Sequence, residues 1–164
     1  MIKIQNSKVW KLQDDVDTDI IIPTQYLALK SVEDMKKYAF NPLRPQLASQ
    51  IKPGDVIVVG RNFGCGSSRE QASEILIALG IKCVIAKSFS RIFYRNSLSN
   101  GLMLIDNNDI QGICNEGDKI TIDFQSNAIL CNNERVLFSA VPKELLDMVE
   151  VGGLLPYMKQ LNRI

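Results

Sequence analysis

Between Val56 and Ile105 the chain alternates short apolar runs with amphipathic stretches, and this alternation constrains its fold more than any other feature. Val56-Ile57-Val58-Val59 is a continuous β-branched run, the pattern of a strand buried on both faces. Cys83-Val84-Ile85-Ala86 and Leu102-Met103-Leu104-Ile105 repeat it. Between the first two runs, Ala72, Ile75, Leu76 and Leu79 recur at helical spacing, and Gly80 supplies a stop. Between the second and third, Phe89 to Asn100 reads as a helix ending at Gly101. The expected result is a strand–helix–strand–helix–strand unit with parallel strands and right-handed crossovers.

The flanks read differently. Lys8-Val9-Trp10-Lys11-Leu12 alternates as a strand does, and four acids follow within Asp14 to Asp19. Ile20-Ile21-Ile22 then stops at Pro23. Ser31 is a natural N-cap for a short helix from Val32 to Phe40, with Asp34 three residues on. Asn41 to Gln50, which carries Pro42 and Pro45, is expected to be irregular, and Pro53-Gly54-Asp55 is a turn. In the last third, Lys119 to Phe124, Asn127 to Leu130 and Arg135 to Phe138 read as antiparallel strands. A helix from Lys143 to Val151 ends at Gly152-Gly153. The expectation is one mixed α/β domain over residues 1–164 with a small antiparallel or barrel-like part.

Composition removes whole classes of function. The net charge is +1 and no basic run is present, which argues against nucleic acid as the main partner but not against a small anion. No apolar run approaches the ~18 residues of a membrane span, and Met1 to Asn6 leads into strand-like sequence rather than a signal segment. Cys65, Cys83, Cys114 and Cys131 form no C-x-x-C pair, so a reduced, cytoplasmic chain without disulfides or structural zinc is expected. The chain has no histidine, so neither a Ser-His-Asp nor a Cys-His device can be built from it alone.

The first apolar run is followed by Gly64-Cys65-Gly66-Ser67-Ser68-Arg69-Glu70. Glycines permit positive φ and close approach of a ligand to the backbone, and a helix start offers unpaired N–H groups to an anion. Ser67 and Ser68 add hydroxyls, Arg69 a planar fork suited to a carboxylate, and Glu70 a favourable charge in the first turn that could orient an arginine. The loop fits neither the dinucleotide fingerprint, the phosphate loop nor the nucleophile elbow. Two readings stay open: an anion site, or a tight turn in which Ser67 or Ser68 merely caps the helix.

Other elements are equally two-sided. Asp17-Thr18-Asp19 is either a polar group for a metal or an arginine, or a solvated turn. Arg91, Arg95 and Asn96 lie close on one predicted helix, either as site residues or as an ordinary polar face. Cys65 is either a small packing residue or a thiol activated by the helix start. Tyr26-Leu27-Ala28-Leu29 is either core or the wall of a pocket.

Taken in order, Asp17 to Pro23, Asn62 to Glu70, Ser88 to Asn96 and Gly152-Gly153-Leu154 resemble the small subunit of 3-isopropylmalate dehydratase, the swivel domain of the aconitase superfamily. The resemblance spans nearly the whole chain. It implies a swivelling β/β/α fold and a separate large subunit carrying a [4Fe-4S] cluster, with no metal or other cofactor bound by this chain. It implies a hydro-lyase that dehydrates and rehydrates a hydroxy diacid in leucine biosynthesis. Ser67 matches the family's base. Ser68, Arg69, Gly66, Thr18 and Asp19 match its substrate-binding elements, with Glu70, Arg91, Arg95 and Asn96 in support.

Two departures stand out. Gln71 occupies the position after Arg-Glu where relatives commonly carry histidine. Ala28-Leu29 replaces the polar residue that often meets the variable group of the substrate, which suits a branched alkyl group better than an extra carboxylate. Sister hydro-lyases acting on homoaconitate, 2,3-dimethylmalate or citrate, and a non-catalytic carboxylate-binding module, are the competing readings.

Overall fold

The computed structural model describes residues 2–162. Its elements run β1 (Ile4–Lys11), α1 (Thr18–Ile21), α2 (Val32–Met35), α3 (Leu47–Gln50), β2 (Val56–Val59), α4 (Glu70–Ala78), β3 (Cys83–Ala86) and α5 (Arg91–Ser99). They continue with β4 (Met103–Asp106), α6 (Ile110–Ile113), β5 (Lys119–Asp123), β6 (Ala128–Cys131), β7 (Glu134–Leu137), α7 (Lys143–Glu150) and α8 (Leu154–Leu161).

The predicted alternating unit is present as β2-α4-β3-α5-β4, with all three strands fully buried along the ladder except Asp106. The expected antiparallel part is present too, as β5-β6-β7, continuous with it. One seven-stranded sheet runs in the order β4-β3-β2-β1-β5-β6-β7. β1 joins the halves, pairing parallel with β2 through Val9–Val56 and antiparallel with β5 through Ile4–Ile122. Its register shifts between Ile4 and Ser7, where Asn6 takes φ of 50°, a conformation asparagine tolerates better than most residues.

The two sheet faces bury different residues, as period-2 alternation demands. Trp10, Ile57, Val59, Val84 and Leu104 pack with Ala72, Ile75 and Leu76 of α4. Val9, Val58, Ile85 and Ile105 pack with Ile120, Ile129, Phe138 and Met148. α5 contributes Phe93 to the first cluster and Leu98 to the second.

Both long crossover helices end in a left-handed glycine. Gly80 N–H donates to Ile77 and Ile81 N–H to Leu76; Gly101 and Leu102 repeat the pattern onto Leu98 and Ser97. The Gly152-Gly153 pair packs against the second of these ends. A Cβ on Gly101 would lie 2.7 Å from the Gly152 carbonyl carbon, and one on Gly153 would overlap the Ser99 carbonyl oxygen. This motif is therefore a close backbone crossing.

Some boundaries differ from expectation. The helix after Ser31 is capped as predicted, with Asp34 N–H donating to Ser31 Oγ at 3.2 Å, but it tightens into a 3₁₀ turn at Lys36–Tyr38. The Asn41 to Gln50 stretch contains the one-turn α3. α6 and α8 were not anticipated. α8 leaves Leu154, Leu155, Met158 and Leu161 exposed, so its apolar residues do not follow the face of this chain's core.

Candidate active site

The glycine–serine–arginine loop begins where β2 ends, and β3 fixes it from the side. Phe63 and Phe89 form a parallel bridge beyond the strands proper: Phe63 N–H donates to Ser88, and Ser90 N–H to Phe63. Ser90 also caps α5, its Oγ accepting from Phe93 N–H at 3.3 Å and donating to the Gly64 carbonyl at 2.9 Å. The start of α5 and the glycine loop are thereby held side by side.

The Asp17–Asp19 segment closes the other flank. Asp17 caps α1, accepting from Ile20 N–H at 2.8 Å. Thr18, 2% exposed, donates from its N–H to the Cys65 carbonyl and from Oγ1 to the Ser67 carbonyl, both at 2.9 Å. Gly64 N–H reaches back to the Val16 carbonyl at 2.8 Å. Three points of attachment thus tie the loop to residues 16–18.

Neither serine caps α4. The N-cap is Arg69, with no side-chain capping bond. Ser67 and Ser68 are exposed at the rim of a cavity of about 280 Å³. Among the described residues, the N–H groups of Gly66, Ser67 and Ser68 have no protein acceptor. With φ of +95° at Gly66 and a helix start behind it, these N–H groups form an anion-receptive concavity. Of the two readings of the loop, the helix-capping one fails.

Arg69 is largely buried, with 13% of its side chain exposed. It pairs with Asp19, and donates to the Ile22 carbonyl at 3.0 Å and to Thr24 Oγ1 at 2.9 Å. Its carboxylate partner is therefore Asp19 and not Glu70, which is the exposed first residue of α4. Asp19 is 60% exposed, so the pair adds little to stability and serves to aim the guanidinium. Part of the fork remains uncommitted beside the cavity. Arg69→Lys keeps the charge but loses the planar fork. It is expected to lower kcat/KM of the assembled enzyme by about 10- to 100-fold, the worth of one or two charge-assisted bonds, and to cost about 1–3 kcal/mol in denaturant unfolding, since the bonds to the Ile22 carbonyl and Thr24 go with the fork.

The cavity brings together Thr18, Gly66, Ser67, Ser68, Arg69, Arg91 and Asn96. It does not include Arg95, which lines a neighbouring cavity. Ala28 is exposed and Leu29 leans on the core, so neither forms this wall. The apolar side belongs instead to Ile92 and Phe93. Ile92 is 52% exposed. Sequence reading passed over Ile92 and Ser90; the serine ahead of an apolar helical run was the signal available for Ser90.

Cys65 is not an activated thiol. Burial first, then the nearby Asp17 and Asp15, push its pKa up. Burial also raises the buried thiols Cys83, Cys114 and Cys131, the last two in contact at 2.8 Å. A thiol reagent near neutral pH is expected to label Cys65 slowly in the native chain and the other three only after unfolding, as peptide mass mapping would reveal.

Residues 18–109 match the aconitase C-terminal domain. The chain belongs to that family. It is 61% identical to the 3-isopropylmalate dehydratase small subunit of Lachnospira eligens over 96% of this chain and 95% of the relative. It is 39% identical to the homoaconitase small subunit of Thermus thermophilus over 95% and 96%. The crystal structure of 3-isopropylmalate dehydratase from Methanocaldococcus jannaschii superposes with a TM-score of 0.90 at 37% identity, covering 98% of this chain and 96% of that one. This aconitase-family chain offers no group of three or more Cys, Asp or Glu able to hold a metal ion among its described residues. No described helix is long and apolar enough to cross a membrane.

Proposed function

We propose that this chain is the small subunit of a cytoplasmic, heteromeric hydro-lyase that interconverts 2- and 3-isopropylmalate in leucine biosynthesis. A large subunit would contribute the [4Fe-4S] cluster and with it the Lewis acid for the leaving hydroxyl. The observation that carries the reading is the convergence of unpaired loop N–H groups, the Ser67 and Ser68 hydroxyls and the Asp19-aimed Arg69 on one cavity.

Each part has a chemical task. Arg69, Ser68 and the loop N–H groups bind a substrate carboxylate and hold the adjacent carbon over Ser67. Ser67, as its alkoxide, takes the proton from that carbon as the carbon–carbon double bond forms, and returns it on rehydration. A serine alkoxide forms only beside positive charge in a site shielded from water. Arg69, Arg91 and the start of α4 supply the charge, and the large subunit would exclude the water.

Specificity for a branched alkyl group draws support from Ile92 and Phe93, which give the cavity an apolar side. A third carboxylate there would lose its water without gaining a partner. The similarity to a homoaconitase small subunit supports a second reading, a sister enzyme acting on a tricarboxylate. Anaerobic reconstitution with the cognate large subunit, screened against several hydroxy diacids and triacids, separates the two. Turnover of 3-isopropylmalate should exceed that of citrate and homocitrate by at least about tenfold, the worth of one misplaced polar or apolar group. The reverse order would sink the isopropylmalate assignment.

A further inference from the structure

Beside the Ser67 cavity lies a second one of about 530 Å³, walled by Lys87, Phe89, Arg91, Tyr94, Arg95 and Asp106. It opens at the carboxyl ends of β3, which stops at Ala86, and β4, which stops at Asp106. Ligands of open α/β sheets favour such positions. Only Arg91 is shared with the first cavity; Ser67, Ser68 and Arg69 take no part in it.

Its electrostatics are lopsided. Three cations face one carboxylate. Among the described residues, none of Lys87, Arg91 and Arg95 has an acid within ion-pair distance. No acid stands four residues before or after Arg91 or Arg95, whereas Lys143 and Asp147 are so placed and pair at 2.7 Å. Arg91 also opens the nine-residue helix α5, whose first N–H groups add partial positive charge. Burial first, then Asp106, raise the pKa of Tyr94, so its hydroxyl stays a proton donor. Phe89 supplies an apolar wall.

We infer that this cavity is a second anion site, separate from the Ser67 site, for a small molecule carrying two or more negative charges. Three cations against one acid favour a multiply charged ligand over chloride or acetate. Di- or tricarboxylates and phosphate share this chemistry. Arg91, standing between the two cavities, would let occupancy of one alter the electrostatics of the other.

The test uses the full-length, ¹⁵N-labelled chain at low ionic strength, titrated separately with citrate and with inorganic phosphate. Amide shifts at residues 87–89, 94, 95 and 106, weakening with added salt, are the expected result. Saturation by citrate only assigns a carboxylate ligand, and by phosphate only a phosphate-bearing one. Lys87→Glu with Arg95→Glu should weaken binding at least tenfold, and Ser67→Ala should leave the response of residues 87–89, 94, 95 and 106 in place. Should the double reversal perturb the fold, Arg95→Gln alone should still weaken binding severalfold. No shifts, shifts confined to residues 66–69, or unchanged affinity in the variants would overturn the inference. So would a double variant that loses only its affinity for the large subunit, since the cations would then serve a protein interface.

Discussion

Replacing Ser67 with alanine is expected to lower kcat of the reconstituted enzyme by about 10²- to 10⁴-fold, the usual worth of a positioned proton-transfer group. Its stability and its affinity for the large subunit should hardly move. Ser67 is exposed, and no described residue bonds its hydroxyl; the contact that fixes it runs through its carbonyl oxygen to Thr18. Deleting the hydroxyl leaves that contact intact and buries nothing unsatisfied, so folding should change by less than about 0.5 kcal/mol. Single-turnover rates and sedimentation of the complex separate chemistry from assembly. A variant that turns over at near-normal rate would remove Ser67 as base while leaving the loop as a binding element.

Gly64→Ala should do the opposite and damage the scaffold. Gly64 sits at φ of +79°, and its Cβ would lie 2.6 Å from Cβ of Phe93 and closer still to Cγ. Phe93 cannot retreat easily: it is 3% exposed and stands edge-on to Phe63 with centroids 5.2 Å apart. Left-handed strain of about 1–2 kcal/mol and overpacking of about 1–3 kcal/mol together predict a loss of about 2–5 kcal/mol. That is a large share of the ~5–15 kcal/mol that holds a domain folded. Gly117 is the control. Its φ is +90° but nothing lies within 4 Å of an added Cβ, so Gly117→Ala should cost only the backbone strain. Urea melts of both variants decide the matter; equal losses would mean that the Phe93 contact is soft.

What the sequence made legible follows from periodicity. The buried strands Val56–Val59 and Cys83–Ala86 and the helix stops at Gly80 and Gly101 are local signals, and each lies where it was read. The site was legible as residue chemistry but not as geometry. That Asp19 rather than Glu70 faces Arg69 depends on a chain reversal across 45 or more residues, which no spacing rule reports. Asp17 to Ile22 looked like acids followed by an apolar run because a single helical turn is too short to display a 3.6-residue period. Ala28 and Leu29, which the family's pattern sets beside the variable group, do not line the cavity at Ser67. Its apolar side is Ile92 and Phe93, because the Phe63–Phe89 bridge draws α5 against the loop.

The place of β1 in the middle of the sheet has a consequence for how the chain is made. This strand leaves the ribosome before the rest of the sheet, yet one of its two neighbours is β5: Asn6 N–H meets Thr121 Oγ1 across 115 residues. Until β5 has emerged, one edge of β1 and the apolar residues that later meet β5 to β7 stand open to pairing with other chains. Closing so long a loop is slow, and the delay invites capture by a chaperone. The glycine–serine–arginine loop lies on the half that can assemble early, so nascent chains can carry a formed loop before they carry a finished sheet.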